Sequence, residues 1–195
     1  MDIDWTTTRL SRFFPLFGEG VRIEGPGGAG LPEFLLQAAG IDPDYLARRV
    51  QTVFLNGRPV DDLSRAEVRP GDRIALSAAL PGLAGAVLRR GSALAAMRRT
   101  ITWEEAPRGK GAAGLTAATL LLFNLVASER GPDLLARGVS IPAATLSAFV
   151  ERNFPRGVPP GDTVRIDGRP AGGDPWWRGL SPEGLHRLRV RPAPA

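Results

Sequence analysis

Two stretches far apart in this chain carry nearly the same pattern, and that pattern restricts the fold more than any other feature. QTVFLNGRPVDD (residues 51–62) and DTVRIDGRPAGG (residues 162–173) agree residue by residue through Thr-Val, an apolar position, Gly-Arg-Pro and a small turn. In the first stretch Val53 and Leu55 alternate with Phe54, which is the period of a strand with one buried face. Asn56-Gly57 then supplies the pair of positive-φ residues that a tight turn requires.

The flanks match as well. EGVRIEGPGGAGLPEFLLQ and RGVSIPAATLSAFVERN each contain a Gly-Val-x-Ile strand, a short gap and Leu-x-x-Phe opening a helix. HRLRVRP takes the place of DRIALSA. Four matches in one order predict two copies of a single small unit. The second copy begins with the strand ATLLLFNL and carries an additional helix, ASERGPDLLARG.

Within the first copy, Val21 and Ile23 form a short alternating strand. A helix follows, with Leu31, Phe34, Leu35 and Ala38 on one face, Pro32 in its first turn and Gly40 at its stop. Asp42 is placed to cap a second short helix that has Pro43 at its first position. Pro70-Gly71 turns the chain into a strand bearing Ile74 and Leu76. The order strand, strand, helix, strand, strand predicts an α+β fold, a small mixed sheet with one helix across it. Beyond Ser77, AALPGLAGAVLRRGSALAAMRR is helix-compatible in its later part, ITWEE is a strand candidate and APRGKGAAG has linker composition. The expected organisation is a domain over 1–105, a linker over 106–114 and a second domain over 115–195.

Composition sets outer bounds. A chain of 195 residues with 43% hydrophobic residues can bury a core. It has no cysteine, which removes disulfides, thiolate catalysis and cysteine-ligated zinc, and agrees with a reducing compartment. His186 is the single histidine, and it is read as a surface or edge residue. The net charge of +5 comes from arginine, Lys110 being the one lysine. This arginine bias accompanies alanine, glycine and proline along the whole chain, so it weakly favours an anionic partner. GAAGLTAATLLLFNLVAS is uncharged but has too short an apolar core to span a bilayer, and it is interrupted by Asn124. It is read as a buried strand and helix start. MDIDWTTTRL lacks the basic start and apolar run of a signal peptide. A cytoplasmic protein without a membrane segment is expected.

Phe34-Leu35-Leu36, then Phe54-Leu55-Asn56-Gly57, then Gly71-Asp72-Arg73-Ile74 resemble the MoaD/ThiS family of ubiquitin-like β-grasp proteins over roughly residues 10–85. The resemblance implies a ubiquitin-like β-grasp N-terminal domain, and the internal match implies a second, diverged β-grasp-like domain after it. Members of that family act through a C-terminal Gly-Gly tail that a partner enzyme adenylates. Here the corresponding position continues as LPGLAGAVLRR, with Gly82 and Gly85 separated, and the last residues are RPAPA. A sulfur-carrier role would therefore need processing after Gly85. The same helix, Asn-Gly and Gly-Asp order is also similar to the RNA-binding alpha-L domain. That family places a basic helix before the strand, whereas Asp42, Asp44, Arg48 and Arg49 nearly balance here.

No constellation predicts catalysis, a cofactor or a metal site. The adjacent acids Asp61-Asp62 and Glu104-Glu105 point apart on extended backbone and are read as solvated turn residues. GPGGAG lacks the lysine and hydroxyl residue of a phosphate-binding loop and is read as a flexible connection. Trp176 and Trp177 beside Arg178 are read either as the lid of a small core or as part of a partner-binding surface, together with Arg89, Arg90, Arg98 and Arg99. The expectation is a non-enzymatic protein-interaction or adaptor module with an unidentified protein partner, nucleic acid being a less favoured ligand.

Overall fold

The computed structural model describes residues 1–104, 114–173, 175–181 and 183–194. It is a mixed α/β protein. Its strands in chain order are β1 (Asp2–Thr7), β2 (Val21–Pro26), β3 (Thr52–Leu55), β4 (Arg58–Pro59), β5 (Arg73–Ser77), β6 (Leu115–Phe123), β7 (Val139–Pro142), β8 (Thr163–Ile166), β9 (Arg169–Pro170) and β10 (Leu185–Pro192). The α-helices are α1 (Leu16–Glu19), α2 (Leu31–Ala39), α3 (Pro43–Arg48), α4 (Gly82–Leu88), α5 (Asn124–Arg137) and α6 (Ala143–Asn153). The chain forms two compact units. One, central in sequence, is Arg22–Glu129; the other, the terminal unit, joins Met1–Val21 to Arg130–Ala195. Both draw on both halves of the sequence, so strand β1 belongs with the C-terminal elements and β6 with the N-terminal ones. The linker expected over 106–114 lies, but for Gly114, outside the described residues.

The sheet of the central unit runs β4-β3-β5-β6-β2. Strand β5 is antiparallel to β3 and parallel to β6, with Ile74 opposite Leu55 on one side and Leu120 on the other. Alternation puts Val53, Leu55, Ile74, Leu76, Leu120 and Leu122 into the core, where Leu31, Phe34 and Leu35 of α2 are also buried. Helix α2 crosses β2 at Gly25, where a Cβ would stand 3.0 Å from the Phe34 ring. Asp42 caps α3 by accepting from the Tyr45 N–H at 2.7 Å. GPGGAG is less free than its composition suggests, because the Leu31 N–H donates to the Ala66 carbonyl and the Val68 N–H to that of Ala29. Ile101–Glu104 forms no strand; the backbone there is irregular, and the Thr102 hydroxyl turns back to the Arg98 carbonyl.

The terminal unit has the sheet order β7-β10-β1-β8-β9. Its centre is again a parallel pair, β1 with β10, flanked by antiparallel β8 and β7. Ile3, Trp5, Leu188, Val190 and Val164 point inward to Leu146, Phe149 and Val150 of α6 in the core. Trp5 is the hub of an aromatic cluster, its ring 5.0 Å from Phe13, 4.6 Å from Phe154 and 5.8 Å from Trp176.

The two matching stretches become the same hairpin. Phe54 pairs with Pro59 and Leu55 with Arg58 in one; Arg165 pairs with Pro170 and Ile166 with Arg169 in the other. Asn56 and Asp167 take φ of 53° and 47°, and the following glycines 78° and 79°. These are the values of the turn whose twist suits paired strands, and short polar side chains tolerate them best. Each turn residue then grips the first residue of the neighbouring strand. The Asn56 N–H donates to the Arg73 carbonyl and Asn56 Oδ1 accepts from the Arg73 N–H. The Asp167 N–H donates to the Asp2 carbonyl and Asp167 Oδ1 accepts from the Asp2 N–H.

By this correspondence the place of β5 in the terminal unit is held by Asp2–Thr7, from the start of the chain. HRLRVRP does not take the place of DRIALSA: as β10 it lies beside β7, in the position β6 holds in the central unit. The physical reason is that the side of β8, the equivalent of β3, that such a strand would pair with is taken by β1. The apolar run Gly111–Ser128 supplies β6 and the start of α5, and no helix among the described residues is long and apolar enough to cross a membrane.

Candidate functional site

After β5 the chain of the central unit does not end in a free tail. Residues 78–104 fold back on the unit through α4 and a short 3-10 helix, Ala93–Arg98. Two arginines hold this extension. Arg90 is half-buried; its N–H donates to the Gln51 carbonyl, and its guanidinium donates to the carbonyls of Leu46 and Val50 at the end of α3, both at 2.6 Å. Burial lowers its pKa from the usual guanidinium value. Arg98 is 2% exposed and spends its guanidinium on Asp61 at 2.6 Å, the Thr102 hydroxyl at 3.0 Å and the Val87 carbonyl at 2.7 Å. Further along, the Trp103 N–H donates to the Pro59 carbonyl on β4 at 2.9 Å.

While Arg90 and Arg98 turn inward, the extension carries several large apolar side chains outward. Leu83 is 68% exposed, Met97 69%, Ile101 51% and Leu94 37%. These are four of the ten large apolar side chains exposed among the described residues, gathered on one short segment. Scattered exposed leucines mean little, but these four lie on one anchored segment.

Beside the extension lies a cleft of about 380 Å3, walled by Leu46 and Ala47 of α3, Asp61, Asp62 and Ser64 of the following loop, and Arg90. Its two carboxylates are committed. Asp61 binds Arg98, and Asp62 accepts from the Ser64 hydroxyl and N–H, which hold it below the usual carboxylate range. The Ser64 hydroxyl therefore points at a weak base. Among the described residues no three His, Asp or Glu side chains gather as a metal ligand set.

The residues expected on a partner surface differ in exposure. Arg89 and Arg99 are exposed, Arg90 is half-buried and Arg98 is enclosed, all in the central unit. Trp176 and Trp177 belong to the terminal unit and are each 5% exposed, with ring centroids 6.0 Å apart, so they are core rather than surface. Arg178 beside them is exposed and lies 3.5 Å from Glu151. Gly82 and Gly85 sit in α4, and Gly85 is buried so closely that a Cβ would lie 1.7 Å from the Leu80 carbonyl oxygen. A protease cutting after Gly85 would have to unwind α4 first. His186, expected at a surface or edge, is 2% exposed, with Nε2 3.2 Å from the Ser181 carbonyl. Of the acidic pairs, Glu104 is exposed and Glu105 lies outside the described residues.

Sequence reasoning missed the exposed apolar row. Leu94, Met97 and Ile101 have the i, i+3, i+7 spacing of one helical face, which by pattern alone reads as a core-facing stripe, yet the structure leaves all three exposed. No family model, no curated protein and no solved structure matches this chain.

Proposed function

We propose that this chain is a tandem β-grasp protein whose terminal unit takes one inner strand from the start of the chain, and that it works by holding another protein rather than by catalysis. Two sets of five strands in one order, each with a central parallel pair, a matching hairpin and a helix leading into that hairpin (α2 after β2, α6 after β7), support the β-grasp part. The observation that carries the functional part is the extension. A segment fastened by a buried arginine and yet studded with Leu83, Leu94, Met97 and Ile101 keeps apolar area in water, and that cost is recovered when a partner covers it. Met97 adds an unbranched, polarisable side chain that adapts to the surface it meets.

The test is co-purification of the full chain from its host, compared with a Leu83→Ser, Met97→Ser, Ile101→Ser variant. A protein that travels with the wild type in near-equal amount, and is lost from a variant with unchanged circular dichroism, is the expected result. A wild-type chain that carries nothing, or a variant that keeps the same companion, would refute the reading.

A further inference from the structure

We propose that the β9 edge of the terminal unit is a second docking site, which takes an extended acidic segment of a partner protein as an added strand. This rests on the protein-binding reading above but uses a different surface. The two hairpins share one register, so their edges can be compared atom for atom. In each, the residue after the proline returns its N–H to the inner strand, Val60 to Val53 and Ala171 to Val164, so the proline carbonyl faces away from the sheet. In the central unit that carbonyl, on Pro59, already accepts the Trp103 N–H, and Pro59 is buried. In the terminal unit its counterpart belongs to Pro170, and Arg169 and Pro170 are both exposed at the end of the sheet. The molecule thus occupies one copy of this edge with its own chain, and among the described residues none bonds the proline carbonyl of the other copy.

The occupant follows from charge and donor chemistry. Beyond the buried edge come Asp61 and Asp62, and the segment seated there brings Arg98. At the open edge the corresponding residues are Gly172 and Gly173, and Arg165 stands where Phe54 stands in the other hairpin. Arg165, whose guanidinium also donates to the Gly168 carbonyl, and Arg169, the counterpart of Arg58, are both exposed, and with glycines in place of Asp61 and Asp62 an acidic segment is complementary. Proline has no N–H, so this edge offers an acceptor and asks for a donor. An extended polypeptide presents backbone N–H groups at strand spacing, which a ribose-phosphate chain with its 2′-OH donors does not, so the occupant proposed is a protein.

Because Arg165 and Arg169 lie on opposite faces of the hairpin, the experiment follows the anisotropy of a labelled extended peptide of repeating Glu-Glu-Thr-Thr, with carboxylates on both faces, on titration with the full chain. Saturable binding that weakens with salt is expected, with a loss of about tenfold or more for Arg165→Glu with Arg169→Glu and a change within about twofold for Arg178→Glu. Because no variant is needed, the sharpest arm uses wild-type protein and a backbone N-methylated peptide of the same charge, which is expected to bind about tenfold more weakly. The proposal is overturned by absence of saturable binding, by equal binding of the methylated peptide, or by oligouridylate of equal charge displacing the peptide at equal concentration. The Leu83→Ser, Met97→Ser, Ile101→Ser variant is expected to bind the peptide normally, which separates failure here from failure of the reading above.

Discussion

Asp72 and Asp162 follow the same Pro-Gly turn, yet they tie down different things. Asp72 stays local, accepting from the Asn56 side-chain amide and the Arg69 N–H. Asp162 reaches across the chain to the Trp5 indole N–H at 2.9 Å and to the N–H and hydroxyl of Thr8. Partial burial pushes its carboxyl up, but the bonds from Thr8, Trp5 and Thr7 outweigh that and lower it. A depressed carboxyl contributes stability above its unfolded pKa and loses it as pH falls through the folded one. Asp162→Asn keeps the shape and removes the charge. It is expected to cost about 1 kcal/mol at neutral pH, the low end for a partly exposed group, with the two proteins converging in acid once the pH has fallen through the lowered carboxyl. Urea unfolding followed by tryptophan fluorescence at neutral and acid pH measures this. Gly85 constrains a different place: Gly85→Ala drives a methyl into the Leu80 carbonyl, and the backbone of α4 must shift. A loss of about 2 kcal/mol is expected, read as faster hydrogen exchange over 82–103.

Among the elements, the hairpins were legible and the extension was not, for one physical reason. Asn56-Gly57 and Asp167-Gly168 specify their turn by local sterics, and helix α2 carries its own stop in Gly40, at φ 65°. The extension is organised by tertiary bonds instead. Arg98 and Arg99 are adjacent in sequence, but one is enclosed and the other exposed, and nothing local distinguishes them. For the same reason the partner surface was expected of tryptophans that the structure places in a core. Arg98→Met tests the anchoring, since it removes the bonds to Asp61, Val87 and Thr102 while filling similar volume. Asp61 stays 41% exposed and can rehydrate, so a loss of about 2–3 kcal/mol is expected, confined to the extension. Limited proteolysis should then cut within 78–104 and leave the remaining strands protected.

For the molecule as a whole, the part hidden from sequence reading was β1. Asp-Ile-Asp-Trp-Thr-Thr alternates as a strand should, but its register is set by partners such as Val164 and Val190, far along the chain. Its role is visible only once Asp2 is seen bonded to Asp167 as Arg73 is to Asn56. This arrangement predicts how the chain comes apart. A cut between 104 and 114 would give two sequential fragments, each lacking a strand from the middle of a sheet: β6 from the first, β1 from the second. A missing inner strand leaves two edges unpaired and opens the core between them, so neither fragment is expected to fold alone. The fragment 22–129 holds most of β2 and all of β3 to β6, and it is expected to fold by itself. Circular dichroism and amide dispersion of the three fragments decide the matter. Mixing the two sequential fragments is expected to restore the dispersed spectrum, because each carries the strand the other lacks. Either sequential fragment folding alone would mean that β1 and β6 are interchangeable within a half, and the shared strand position assigned to Asp2–Thr7 would have to be withdrawn.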